Sequence, residues 1–441
     1  MKKIHFDLPD YILEIIDTFK KNGYEVFLVG GCIRDLLLNK TPHDYDLSTS
    51  ASEQEVKELF KEYHFIIPNG AKHGTYTLRY KHHNVEITSF KHSEDEENNF
   101  KNDTNHRDLT INAFGYDGEY LYDYHHGEED LANHTISMGE DPLRIANEDP
   151  LRILRAIRFQ AELGFDIKDN TKEVILSNYQ KLSDVSKERI IAEISRILVT
   201  DNIENILLTY RDIFGYLFPP LVKTFDYDQN NRWHPYDLYV HTVHVVKNTI
   251  NDRNTRLAAL LHDIGKVDTM SQEYIEGVGY INHYYGHPLK SAELAKNILN
   301  TYKISNYDKD EILFLIANHD NKMSLTTKSV RKMLIKITTF NDEDPLITLN
   351  KLLSIQLADH KDHTWFVPIE EDKILEIAKR IIEERDALSV KDLAIDGRDM
   401  QRLGFQGKAI GDILKEVLLL VSEEELKNDR ESLLSFIKSN Y

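Results

Sequence analysis

The stretch VGGCIRDLLLNKTPHDYDLSTS, residues 29 to 50, decides how the first third of the chain is read. An apolar run, YEVFLV, ends on two glycines, and two aspartates flanking a tyrosine follow shortly after. Gly30 and Gly31 can leave a strand with backbone angles closed to other residues, turning their N–H groups toward a phosphate with no Cβ in the way. Asp44 and Asp46 lie two apart, so on a strand both carboxylates point to one face. Adjacent carboxylates repel unless a divalent cation lies near both, and Mg2+ with oxygen ligands and nucleotide phosphates is the natural occupant. A glycine turn followed by a strand-borne Asp-x-Asp is a layout for nucleotidyl transfer, in which cations orient a triphosphate and activate a hydroxyl. An ordinary turn and a solvated strand end account for the same residues.

The 441 residues, 41% of them hydrophobic, can bury several cores, and a multi-domain globular protein is expected. The longest apolar runs fall far short of the roughly 20 residues that span a bilayer, and the N-terminus carries acids where a signal peptide needs an apolar centre. Cys32 is the single cysteine, which excludes an internal disulfide framework and fits a reducing compartment. A cytoplasmic protein is expected, with no membrane partner. The net charge of -20 argues against non-specific coating of nucleic acid and leaves room for a local basic groove. Basic residues concentrate in LRILRAIRF (151 to 159) and TKSVRKMLIKITT (327 to 339), acidic ones in HSEDEEN (92 to 98).

Residues 1–137 mix β-rich runs (YEVFLVGG, GTYTLRY, NVEITSF, EYLYDYH) with one or two helices, which predicts a small mixed-sheet domain. From DPLRIANEDPLRILRAIRF onward the apolar spacing is helical almost to the end, and an all-α remainder is expected. Within it, FPPLVKTFDYDQNNRWHPYD (218 to 237) reads as a linker. The expected divisions are 1–137, 138–225, 226–365 and 366–441, a multi-domain α+β chain with a mixed-sheet head and helical domains behind it.

Further motifs carry chemistry. In HRDLTINAF, Asp108 can accept from a ribose hydroxyl and Arg107 can fork onto phosphate oxygens. In EDPLR (148 to 152), Asp149 and Arg152 are three apart at a helix start, hence on one face. Cytosine and adenine share an edge with an amino donor beside a ring-nitrogen acceptor, so a carboxylate next to an arginine pairs with either and mismatches uracil and guanine. A surface i,i+3 ion pair is the alternative. In LRAIRF, Arg155 and Arg158 are candidates to line phosphates. Glu86 in VEITSF is either a third carboxylate or an exposed strand residue.

On GGCIRDLLL, DYDL, HRDLTINAF, EDPLR and SKERIIAEI, the chain resembles the class II tRNA nucleotidyltransferases, the CCA-adding enzymes, and their poly(A) polymerase relatives. The resemblance implies that Asp44 and Asp46 hold Mg2+ and are catalytic, and that Gly30, Gly31, Arg34, Arg107, Asp108 and Asn112 bind the nucleotide. It assigns base choice to Asp149 and Arg152, places Arg155 and Arg158 nearby, and makes SKERIIAEI, with Glu188, Arg189 and Glu193, a brace. Residues 1–137 become the nucleotidyltransferase head and 138–225 the neck. The implied activity is addition of C and A to the tRNA 3′ end from CTP and ATP, with the acceptor arm of tRNA as partner, no DNA, and no nucleic-acid template. His106 and Leu109 replace the family's arginine and phenylalanine. The segment KHSEDEENNFKNDTN (91 to 105) is shorter than the corresponding loop of full CCA-adding enzymes, which keeps a CC-only enzyme open beside a poly(A) polymerase.

The second helical region contains YVHTVHV, LLHDIGKVD, YYGHPLKSAELA, IANHD and QLADHKDH. His262 and Asp263, with IGK following, resemble an HD-domain phosphohydrolase, in which His241, His262, Asp263 and Asp359 would hold one metal and His287 and His319 a second. Such a donor set suits Ni2+, Mn2+, Fe2+ or Zn2+ better than Mg2+. Residues 226–365 are thus the expected HD domain. The C-terminal SVKDLAIDGRDMQRLGFQGKAIGDILKEVL resembles the tRNA-binding segment of HD-bearing relatives, with GFQGKAIG as a phosphate contact or a plain turn.

Overall fold

The apolar run ahead of the glycine pair is the centre of a sheet: Val26, Phe27, Leu28 and Val29 are all buried, as befits a strand covered on both faces. The computed structural model describes residues 1–66, 75–91, 97, 99–230, 235–341, 343–361, 370–384 and 386–441. These form two compact units, Met1–Ile194 and Ser195–Tyr441. The sheet of the first unit contains β1 (Lys2–Lys3), β2 (Val26–Val29), β3 (Asp46–Thr49), β4 (His64–Ile66), β5 (Thr75–Tyr80), β6 (His83–Ser89), β7 (Gly115–Tyr116) and β8 (Tyr120–Tyr122). Its spatial order is β1-β8-β7-β2-β3-β6-β5-β4. β3 and β6 run parallel, and the other neighbours are antiparallel.

The same region holds α1 (Asp10–Lys21), α2 (Gly31–Leu37), α3 (Glu53–Leu59), α4 (Phe100–Asn105) and α5 (Gly127–Ala132), where the sequence led us to expect one or two helices. α1 carries its core residues Ile12, Ile15, Ile16 and Phe19 at helical spacing. The other four span two turns or less, too short to display a full apolar period. A two-residue parallel bridge of β9 (Thr135–Ile136) with β10 (Asp166–Ile167) interrupts the helices α6 (Pro142–Glu148), α7 (Leu151–Leu163), α8 (Asp169–Asn178) and α9 (Lys187–Leu198). α7 is buried nearly all round, including Leu151, Leu154, Ile157 and Phe159.

The second unit opens with α10 (Ile203–Thr209) and α11 (Arg211–Leu217). Residues 218–237, expected as a linker, are packed: Phe218, Leu221, Thr224 and Gln229 are buried, and the paired prolines start a 3-10 turn over Pro219–Thr224. Residues 231–234 of that stretch lie outside the described residues. α12 (Leu238–Asn248), α13 (Arg253–Leu261), α14 (His287–Thr301), α15 (Asn306–Asn318), α16 (Thr327–Thr338) and α17 (Pro345–Lys361) follow. The expectation of an all-α remainder fails at the hairpin of β11 (Ser271–Ile275) and β12 (Gly279–His283), whose turn uses positive φ at Gly277 and Gly279. α18 (Glu371–Glu383), α19 (Gly397–Arg402), α20 (Lys408–Ser422) and α21 (Arg430–Asn440) complete the chain. The last three share a core of Met400, Val417, Leu433 and Ile437, against which Ile335 of α16 also packs. The expected division at 365/366 lies outside the described residues. Among the described residues, no helix is long and apolar enough to cross a membrane.

Gly115 on β7 has no room for a side chain: a Cβ there would sit 2.2 Å from Phe100 Cζ, and Phe100 is already stacked on Phe27 at 4.0 Å between centroids. Gly115→Ala is expected to lower unfolding stability by about 1–3 kcal/mol, the usual cost of overpacking a filled core. A urea titration with an unchanged midpoint would refute this packing.

Candidate active site and histidine cluster

β2 delivers the chain to Gly30, whose φ of 77° lies where glycine is favoured, and α2 begins at Gly31. A Cβ on Gly30 would lie 3.7 Å from Asp46 Oδ2 and 3.9 Å from Arg107 Nη1, so turn, carboxylate and guanidinium converge. Asp46 is the first residue of β3, whereas Asp44 lies just ahead of the strand and is exposed. The expectation that both lie on a strand holds for Asp46 alone. The parallel register sets Asp46 beside Glu86 of β6. Burial, followed by the charges of Asp44 and Glu86, pushes the Asp46 carboxyl up to about 7, with Arg107 opposing. Among the described residues these three carboxylates do not close into a tight ligand set of the kind found in the second unit. Their all-oxygen donors suit Mg2+. The Cys32 thiol is buried, donates to Val29 O at 3.0 Å and is pushed up to about 12 by that burial, so it is unsuited to thiolate chemistry.

A second group of side chains forms a chain of bonds. Arg34 Nη1 donates to Asn112 Oδ1 at 2.8 Å, Asn112 Nδ2 donates to Asp108 Oδ1 at 3.3 Å, and Arg155 Nε donates to Asp108 Oδ2 at 2.6 Å. Burial opposes ionisation of Asp108, but Arg155 and Asn112 outweigh it and hold the carboxyl below its ordinary range. Arg34 and Arg155 both lie over the Phe159 ring.

The EDPLR segment differs from the expected single helix face. Asp149 is extended, with φ -151° and ψ 101°, and ends α6, while Pro150 precedes α7. A residue before proline is disfavoured in helical angles, and Asp149 sits in the break between two helices, with Arg152 in the first turn of the next. Arg189 Nη2 donates to Asp149 Oδ2 at 2.6 Å. Arg152 donates to Glu148 Oε2 at 2.8 Å, Ile145 O at 3.1 Å and His106 O at 2.5 Å. Arg158, a candidate for phosphate lining, is placed elsewhere: it is 4% exposed and donates to Glu193 at 2.6 Å and Glu162 at 2.9 Å. α7 has turned it toward α9, away from Asp108. Residues 92–96 and 98 of the short 91–105 segment lie outside the described residues.

In the second unit, His241, His262, Asp263 and Asp359 converge, as do Asp263, His287 and His319, with all members buried. Asp263 Oδ2 lies 3.2 Å from His262 Nε2 and 3.7 Å from His241 Nε2, while its Oδ1 lies 3.2 Å from His287 Nε2 and 3.6 Å from His319 Nε2. Asp359 Oδ1 is 3.0 Å from His241 Nε2. His262 Nε2 and Asp263 Oδ1 are buried without a well-formed hydrogen bond among the described residues, and Asp263 Oδ2 is met by the ammonium of Lys266. Buried imidazoles and carboxylates converging in this way fit a metal. Burial opposes charge on Asp263, yet His262 and Lys266 hold its carboxyl well below the usual range. Burial lowers His262, and at His319 the attraction of Asp263 overcomes burial and raises it.

Comparison with known proteins accords with both sites. Residues 26–137 match the Poly A polymerase head domain, 164–224 the probable RNA and SrmB-binding site of polymerase A, and 238–364 the HD domain. The CCA-adding enzyme of Staphylococcus haemolyticus is 27% identical over 97% of this chain and 96% of its own length, and that of Lactobacillus helveticus is 38% identical over 42% and 49%. Along these spans the chain is similar to the nucleotidyltransferase family of the CCA-adding enzymes and poly(A) polymerases. Members share its fold: the Bacillus stearothermophilus CCA-adding enzyme in complex with CTP aligns with TM-score 0.70 and 22% identity, covering 98% of this chain and 96% of that one. The Thermotoga maritima CCA-adding enzyme complexed with tRNA aligns with TM-score 0.58 and 20% identity, over 98% and 97%.

Sequence reasoning passed over Lys266, whose Nζ lies 2.7 Å from Asp263 Oδ2. The i,i+3 spacing in HDIGK was its signal. It also passed over the Arg155–Asp108 pair, which joins residues far apart in sequence and carries no local signal.

That pair has a pH signature. A carboxyl depressed in the fold contributes stability above its unfolded pKa of about 4 and loses it as the pH falls through the lower folded value. In Arg155→Met, the largest of the groups that oppose burial at Asp108 is lost. The variant is expected to be about 1–3 kcal/mol less stable at pH 7, with the deficit shrinking below about pH 4. Urea titrations across pH that show a constant deficit would refute the assignment.

Proposed function

We propose that this protein is a CCA tRNA nucleotidyltransferase that adds C and A to the tRNA 3′ end from CTP and ATP, with no nucleic-acid template. The observation that carries the reading is the placement of Asp46 between the Gly30 turn, Arg107 and Glu86, in a chain similar along 97% of its length to a CCA-adding enzyme. Asp44 and Asp46, with Glu86 beside them, would hold Mg2+, which when bound orients the triphosphate and acidifies the attacking 3′ hydroxyl. Arg107 and the Gly30 turn meet the phosphates, and Asp108, oriented by Arg155 and Asn112, accepts from the ribose. The tRNA 3′ oxygen attacks the α-phosphorus and pyrophosphate leaves.

Base choice falls to Asp149 and Arg152. Each is braced from behind, Asp149 by Arg189 and Arg152 by Glu148 and the His106 carbonyl, which fixes an acceptor and a donor for the amino and ring-nitrogen edge that C and A share. The second region of the chain favours a further reading. The buried imidazoles and carboxylates converging on Asp263 fit a transition metal that activates water on a phosphoester, with His241, His262 and Asp359 holding one ion and His287 and His319 a second. Lys266 lies against the shared carboxylate.

On a tRNA transcript ending at the discriminator base, CTP and ATP together are expected to give two C followed by one A at single-nucleotide resolution. Arrest after two C would make it a CC-adding enzyme, and long tails from ATP alone a poly(A) polymerase. Asp46→Ala should abolish addition, and Asp149→Ala should relax base choice more than it weakens triphosphate binding. Unchanged selectivity in the latter would remove Asp149 from the pocket. Opening of a 2′,3′-cyclic nucleotide to its monophosphate by Asp46→Ala, lost on adding His262→Ala, is the outcome expected of a working second site.

A further inference from the structure

Asp103 belongs to none of the motifs above, yet its side chain is almost fully enclosed and takes hydrogen bonds from three separate elements. Residue 103 is 2% exposed. Its Oδ2 accepts from Arg107 Nη2 at 2.8 Å and from Ser48 Oγ at 3.2 Å, and its Oδ1 accepts from the backbone N–H of Lys91 at 2.9 Å. Ser48 lies two residues after Asp46 on β3, hence on the same face of that strand. Lys91 follows the end of β6, the strand of Glu86. One carboxylate on α4 therefore ties together both acid-bearing strands and the guanidinium that reaches the Gly30 turn.

The bond uses one arm of a fork. Asp103 occupies Nη2, while Nη1 faces the Gly30 turn, where a Cβ on Gly30 would lie 3.9 Å from it and 3.7 Å from Asp46 Oδ2. A free arginine has many rotamers and two acidic neighbours to choose from, and one that collapsed onto Asp46 would neutralise the carboxylate assigned to the cation. We propose that Asp103 is a positioning residue that holds Arg107 off Asp46 and aims its second arm at the β- and γ-phosphates of the incoming nucleotide. This inference rests on the nucleotidyltransferase reading.

The test is equilibrium binding of CTP and of CMP to the full-length protein, since only CTP presents the outer phosphates. Asp103→Asn, nearly isosteric, should weaken CTP about 10-fold, the scale of one misdirected charge-assisted hydrogen bond, and leave CMP unchanged. Arg107→Ala should show the same selective loss, and combining the two should add nothing further, because both act through one guanidinium. Equal loss of CTP and CMP, or full additivity, would overturn the proposal. Should Asp103→Asn fail to fold, Arg107→Lys decides: an ammonium can pair with Asp103 but has no second planar arm, so an unchanged preference for CTP over CMP would overturn the inference as well. Wild-type addition to tRNA is assayed alongside, so that absence of transfer counts against the function and an insensitive Asp103 against the positioning role alone.

Discussion

A carboxylate at the head of a half-buried strand, with a second beside it in register and a third just upstream, repels its neighbours, and the arrangement of the first unit follows from how that repulsion is contained. Asp46 cannot move away from Glu86 without breaking the β3–β6 pairing, because the register that aligns them also aligns Leu47 with Ile87 in the core. Arg107 offsets part of the charge without pairing directly, since Asp103 holds it. The sheet therefore presents a concentrated negative site beside a turn whose backbone N–H groups are positive. That is a poor arrangement for stability, and a good one for a cation and a triphosphate.

The arginines of α7 show how a chain of net charge -20 uses its basic residues. Arg152, Arg155 and Arg158 follow one another at steps of three, so each points about 60° round from the last. Arg152 reaches the His106 carbonyl, Arg155 reaches Asp108 and Arg158 reaches Glu193 on α9. One helix thereby ties down the His106–Asp108 segment on one side and α9 on the other. In the second unit, Arg331 pairs with Asp386 and Glu424, and Lys332 with Glu423. The basic runs that suggested local grooves are largely spent on acids of the same chain. An enclosed pair such as Arg158–Glu193 specifies geometry more than it adds stability, because desolvation offsets much of the attraction.

What was legible in the sequence follows the range of the interaction. Strands β2, β5, β6 and β8 announced themselves through local apolar patterning, and Gly30 and Asp46 through adjacency. Asp149 was visible as a residue type, but its geometry was misjudged because Pro150 breaks the helix that i,i+3 spacing presumes. Arg158 looked equivalent to Arg155 in sequence; only the packing of α9 against α7 separates them. Asp103 had only its i,i+4 spacing to Arg107 as a signal, since its partners Ser48 and Lys91 are brought to it by the sheet. The β11–β12 hairpin was missed because a short, exposed strand pair lacks the alternating burial that marks a sheet with one face covered.

The histidine cluster was the reverse case: the six residues singled out from sequence converge, although they span more than a hundred positions. Its logic is that of helix ends. His262 and His319 sit at the C-caps of α13 and α15, and the Nδ1 of each faces the carbonyl three residues back, Ala259 O at 2.6 Å and Ile316 O at 2.7 Å. A terminal carbonyl lacks its helical partner, so the imidazole supplies the missing N–H, which turns Nε2 inward. His287, at the start of α14, sets its Nδ1 against the Tyr284 carbonyl, which its own backbone N–H also meets at 3.2 Å. At His262 and His319, capping and the inward turn of Nε2 thus require the same residue in the same rotamer. Asp263, placed directly after His262, then divides its two oxygens between the two imidazole sets, which makes a single carboxylate the shared wall of both halves of the cluster.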